Sequence, residues 1–137
     1  MLYFKRGYMK LTWYPVFLDP EAKPKVEKFI QKDLKKHNDL VLRVRAFLEA
    51  IENVSTLEQY FETEEIAKVE GDLLEMRIPP QRRGGVVRIY FCINPEDTQE
   101  IILLDAELKH KKQPMRTGSA KRRLTEYQDY LMKRTGK

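Results

Sequence analysis

The sequence predicts an α+β fold in one domain spanning residues 1–137, on the strength of two observations. The first is a change of hydrophobic period. Apolar side chains recur at helical spacing up to Ile51, alternate from Asp72 to Lys109, and return to helical spacing after Ser119. The second is the punctuation between the alternating runs. "PPQRRGG" (Pro79–Gly85) and "NPEDTQE" (Asn94–Glu100) are turn chemistry, so three strands follow one another as an antiparallel meander.

Each element has its own reason. "KLTWYPVF" (Lys10–Phe17) is β-branched and aromatic, a first strand that Pro15 confines to a sheet edge or keeps short. Residues 1–8 precede the folded pattern and read as an extension. A helix is expected to open at Asp19 as cap, with Pro20 in its first turn and Glu21 facing the helix dipole. Val26, Phe29, Ile30 and Leu34 then sit at helical spacing. A second helix begins near Asp39, with Leu40, Val44, Phe47, Leu48 and Ile51 on one face. The short joint between them predicts an antiparallel helix pair. Leu57–Lys68 is acidic and irregular, a short helix or an extended connection. The meander comprises Asp72–Ile78, Val86–Ile93 and Ile101–Lys109. In its middle strand Val87, Ile89, Phe91 and Ile93 share one face; Val86, Arg88, Tyr90 and Cys92 share the other. A last, basic helix runs from Ser119 to Lys133 with Ala120, Leu124, Tyr127 and Leu131 aligned. With helices on one face of the sheet, the other face is expected to be free, presenting Arg77, Arg88 and Tyr90 with Lys109 nearby.

Composition narrows the chemistry. No apolar run is long enough to span a bilayer, and no secretory leader pattern opens the chain, which points to a cytoplasmic protein without a membrane role. The lone Cys92 excludes an internal disulfide and a multi-cysteine zinc site. His37 and His110 share no metal-ligand spacing, "QRRGG" lacks the lysine of a nucleotide-phosphate loop, and no Ser-His-Asp or Cys-His triad signature is present. The expectation is therefore of no metal and no cofactor. Net charge is +5, unevenly spread. Lys109–Lys137 carries ten Lys/Arg against two acids, a net +8 that leaves −3 for the remainder. A basic end beside an acidic middle suits a polyanion, although a solvated basic helix gives the same count.

The residues that remain are cations and aromatics. Arg77, Arg88, Lys109, Lys111, Lys112, Arg116, Arg122 and Arg123 can hold phosphates; Tyr90, Tyr127 and Tyr130 can stack bases. Each has an ordinary alternative: Arg77 and Arg88 pairing with Glu75 or Asp105 across the sheet, Tyr127 packing on the sheet, Lys111 and Lys112 solvated in a loop. Such a cluster can cleave RNA without metal. The 2′-hydroxyl attacks the phosphorus as nucleophile, a base takes its proton, the bond to the leaving oxygen breaks as that oxygen is protonated, and arginines stabilise the charge on the phosphorane. His110 has the side-chain type whose ordinary pKa lies near neutrality, and Lys109 serves if neighbouring cations lower its pKa.

Four segments then carry a family resemblance: Gly71–Arg77 ("GDLLEMR"), Gly85–Tyr90 ("GVVRIY"), Leu103–His110 ("LLDAELKH") and Arg122–Tyr130 ("RRLTEYQDY"). In this order and spacing the chain resembles the RelE/ParE toxin superfamily, nearest to HigB-like and phage-derived members, over residues 9–133. The resemblance implies a RelE-like α+β fold and a cytoplasmic toxin of a type II toxin–antitoxin system. It implies a metal-independent endoribonuclease that cuts mRNA on the ribosome and is silenced by a cognate antitoxin. On that pattern Arg77 and Arg88 hold phosphate, Lys109 and His110 supply proton transfer or charge, and Tyr127 or Tyr130 closes the site. Two alternatives stay open: a ParE-like inhibitor of gyrase, and a catalytically silent module that binds nucleic acid or a partner. The sequence departs from the family pattern at Asp105 and Glu107, two acids in the strand meant to face RNA.

Overall fold

Where the hydrophobic period changes, so does the backbone. A computed structural model describes residues 8–79, 86–109 and 116–134. In order these form β1 (Lys10–Trp13), α1 (Lys25–Lys32), α2 (Asn38–Glu52), α3 (Glu58–Glu62), β2 (Ile66–Glu70), β3 (Leu73–Ile78), β4 (Val86–Asn94), β5 (Asp97–Lys109) and α4 (Thr117–Arg134). The class is α+β, with a mixed five-stranded sheet of order β1-β5-β4-β3-β2. The meander is present as β3-β4-β5, and β1 joins it parallel to β5.

Several boundaries depart from expectation for local reasons. β1 stops at Trp13, two residues before the proline that removes a ladder donor. α1 opens at Lys25 rather than Asp19, because Pro24 disfavours helical backbone at the residue before it. Asp19 instead closes a turn, its Oδ1 accepting from Glu21 N–H at 3.1 Å. The acidic connection resolves into α3 and a further strand, β2, which pairs antiparallel with β3 and makes the sheet one strand wider than expected. Gly71, at φ +56°, turns the chain between them in a conformation open to glycine. The second hairpin is tighter than "NPEDTQE" suggested, since β5 already begins at Asp97.

The sheet is packed on both faces. On one face Val26 and Ile30 of α1, Leu34 of the joint after it, and Val44, Leu48 and Ile51 of α2 cover Met76, Ile78, Val87, Ile89, Phe91, Ile101 and Leu103. On the other, Ala120 and Tyr127 of α4 cover Leu73, Tyr90, Cys92, Ile102 and Leu104. The second face is therefore not free. Once α4 exists its apolar stripe needs a partner, and the unclaimed side of the sheet supplies one.

Candidate functional site

The arginines gather through the β3–β4 register. Arg77 on β3 is the direct cross-strand partner of Arg88 on β4, and Arg88 is the partner of Glu107 on β5. One rung further in, Glu75, Tyr90 and Asp105 stand in line. Two adjacent guanidiniums would repel each other. Glu75, 5% exposed, resolves this by accepting from both: Arg77 Nε donates to its Oε1 at 2.9 Å and Arg88 Nη1 donates at 2.6 Å. The arginine pair thus takes the Glu75 alternative foreseen for it. Each arginine has five N–H donors, so one shared carboxylate leaves several unspent. Arg88 Nε has no hydrogen-bond partner among the described residues.

A β-bulge determines where the other two acids go. The β4–β5 register slips between Tyr90 and Phe91, whose partners are Asp105 and Leu103. Leu104 is the extra residue, and both it and Asp105 face α4. Regular alternation would have put Asp105 on the face of Ile101 and Leu103, inside the α1–α2 core. Instead its carboxylate binds α4. Asp105 Oδ1 lies 3.2 Å from Arg123 Nη1, and Oδ2 lies 3.0 Å from Arg116 Nη2. Arg123 Nη1 also donates to the Leu104 carbonyl at 2.9 Å. Glu107 Oε2 accepts from Tyr90 Oη at 2.7 Å and from the Arg116 backbone N–H at 2.9 Å. Arg116 immediately precedes α4, so Glu107 places a carboxylate at the positive end of that helix. Asp105 and Glu107, 5% and 7% exposed, therefore anchor the basic helix to the sheet. Sequence reasoning missed this role. The signal was present in "IILLDAELK": acids buried in an apolar strand must find cations or N–H donors.

The expected site residues separate into groups. Arg77, Arg88, Arg116 and Arg123 come together around the three carboxylates. Lys109 ends β5 opposite Val86, two residues beyond Glu107, and so shares the face of Arg88. His110, Lys111 and Lys112 lie outside the described residues. Arg122 is exposed on α4, away from the sheet. Tyr90 is fully buried under α4, and its phenol pKa is raised well above the ordinary value, by burial and then by the bond to Glu107. It offers no ring face to a base. Tyr127 and Tyr130 sit in an aromatic cluster around Phe17, with ring centroids at 5.1 Å and 5.2 Å. Tyr127 also lines a small cavity beside Cys92 and the β4–β5 turn, toward the opposite end of β4 from Arg88. Burial raises its phenol pKa too, so neither tyrosine ionises near neutral pH.

Among the described residues, no group of three or more His, Cys, Asp or Glu side chains is placed to hold a metal ion. Among them, too, no helix is long and apolar enough to cross a membrane. No family model matches the chain, and no curated protein matches it in sequence.

Proposed function

We propose that this protein is a toxin of the RelE/ParE superfamily. It acts as a metal-independent, ribosome-associated mRNA endonuclease whose phosphate contact is the Arg77–Arg88 pair, and it is held silent by a cognate antitoxin. The observation that carries the reading is the register. Two arginines stand directly across from one another with Lys109 on the same face, and Glu75 fixes their guanidiniums while leaving N–H donors unused among the described residues. That is an arrangement for a phosphate whose negative charge grows during transfer.

Arg88→Ala tests it. Glu75 keeps Arg77 as a partner in this variant, so the buried carboxylate is not orphaned. Induction of the wild-type chain arrests growth, and mapped mRNA ends show cuts in translated messages. The variant loses about 10²–10³ in cleavage rate. Intact mRNA after incubation of the wild-type protein with translating ribosomes overturns the reading. One observation favours a second reading, a catalytically silent binding module: Asp105 already engages Arg116 and Arg123. Salt-sensitive RNA binding without any cleavage is the result that selects it.

A further inference from the structure

A groove with a volume of about 400 Å³ lies between α1, the outer edge of β5, Arg116 just before α4 and Arg123 within it. The sheet itself creates it. β1 pairs only with Glu100–Leu103, while β5 continues to Lys109. The last β1-side rung is Tyr14 N–H to the Leu103 carbonyl, 2.9 Å, after which Pro15 takes the chain away. The chain returns at Lys25, whose N–H donates to the Tyr14 carbonyl at 2.9 Å, so α1 starts where β1 stops. From Leu104 to Lys109, β5 has β4 on one side and, among the described residues, no strand on the other.

The groove has a definite chemistry. Phe29, Ala106 and Leu108 supply apolar lining. Lys25, Lys28 and Lys32, spaced three and four apart, form one exposed row on α1. None of the three forms an ion pair with a carboxylate among the described residues, whereas the acids Asp105 and Glu107 across the groove are already engaged by Arg116, Arg123 and Tyr90. Asp33 beside the row also lines the groove and forms no ion pair among the described residues, so the unspent charge is three lysines against one carboxylate, a positive balance.

We propose that this groove binds a short, extended acidic peptide segment, which adds to the open edge of β5 as an extra strand. Alternate side chains of an added strand point to opposite faces of the sheet, so its Asp or Glu side chains on the α1 face reach the lysine row beside Leu108, and the intervening apolar residues face away from α1. Arg123 holds the Leu104 carbonyl and Asp105 holds the Ala106 N–H, at 2.9 Å and 2.8 Å, so the incoming segment takes the rungs from there toward Lys109. A strand edge selects a peptide over RNA, because its donors and acceptors match a main chain. Phe29, 7% exposed, presents no ring face on which a base could stack. The proposal stands apart from the endonuclease reading, since it uses neither Arg77 nor Arg88.

The test uses the full chain and three fluorescein-labelled probes: the peptide Val-Glu-Val-Glu-Val-Glu, its Val-Lys counterpart, and a 12-nucleotide oligouridylate. Anisotropy titration is expected to show binding of the Val-Glu peptide and none of the Val-Lys peptide. Lys25→Glu/Lys28→Glu/Lys32→Glu should weaken the Val-Glu affinity at least tenfold. Amide shifts in the wild-type protein, which need no variant to fold, should concentrate in residues 25–32 and 106–109. Failure of the Val-Glu peptide to bind, or undiminished affinity in a folded triple variant, overturns the proposal. Oligouridylate shifting those same amides in place of the peptide overturns it as well and assigns the groove to RNA.

Discussion

On the α1–α2 side of the sheet, Leu34, Val44, Ile51, Val87, Ile89 and Phe91 meet carbon to carbon and are fully buried. On the α4 side, a smaller apolar cluster of Leu73, Cys92, Ile102, Leu104 and Ala120 shares the interface with three buried carboxylates and four arginines. The difference is one of specification. Apolar packing holds the first layer by area and shape, which is undirected. The second layer is held at named atoms. Asp105 and Glu107 fix where α4 begins, and Arg123 fixes its rotation over the bulge. Buried pairs of this kind add little net stability over apolar packing but penalise every misplaced alternative, because a carboxylate left alone is costly.

The largest effects should come from breaking each face in its own way. Leu34→Ala removes a fully buried side chain and should cost about 2–5 kcal/mol. Asp105→Ala leaves Arg123, whose side chain is 15% exposed, without its carboxylate. It should cost about 3 kcal/mol, the low end for a buried pair, because Arg116 is 44% exposed and regains solvent. Combining it with Arg123→Met should restore about 1 kcal/mol by removing the stranded charge. Urea unfolding of the single and double variants measures this. Additive losses would mean the α4 face is held by packing alone, as its opposite is.

A smaller effect sharpens the contrast. Cys92 is buried under α4, and burial, then the nearby Asp72 and Glu100 charges, push its thiol up to about 12. At pH 8 it should react with a thiol reagent only through openings of the α4 layer. Asp105→Ala should speed that labelling about tenfold more than Leu34→Ala does, if about 1.4 kcal/mol of its loss falls on the α4 opening alone. Equal acceleration by variants of equal global stability would show that the two layers open together.

The two layers were also unequally legible in the sequence. Alternation through Val87–Phe91 gave the apolar face, and the same parity put Arg88 with Tyr90 on the other; both placements hold. The destination of α4 was hidden, because periodicity reports that a helix has an apolar stripe but not what lies beneath it. The bulge was hidden too. In "IILLDAELK" four successive apolar residues mask the slipped rung, and the sign that Leu104 is the extra residue lies in its partners, not in the residue itself. β2, "IAKVE", was too short and too acidic in its surroundings to separate from a connection. Parity within β4 is local, so the shared face of Arg88 and Tyr90 could be read from sequence, but the β3–β4 register that sets Arg77 opposite Arg88 could not. The anchoring roles of Asp105 and Glu107 could not, because they depend on a helix that starts beyond the end of their strand.

The smallest predicted effect asks whether the sheet edge shares the electrostatic character of the α4 face. Glu100 is the partner of Lys10 on the β1–β5 rung. Burial raises its pKa, but Thr12 Oγ1 donates to it at 2.5 Å and Asn94 Nδ2 at 2.8 Å, and with the Lys10 charge these outweigh burial, so its pKa falls below 4.5. A carboxylate with a depressed folded-state pKa stabilises the fold above its unfolded value, and that stabilisation is lost as pH falls through the folded value. Glu100→Gln should therefore lower the midpoint of thermal unfolding at pH 7, and the gap from wild type should close as pH drops below 4.5. Thr12→Val, which removes one donor and leaves the carboxylate, should close part of the same gap. Parallel acid limbs for wild type and Glu100→Gln would place the edge with the apolar layer, held by its ladder and not by its charge.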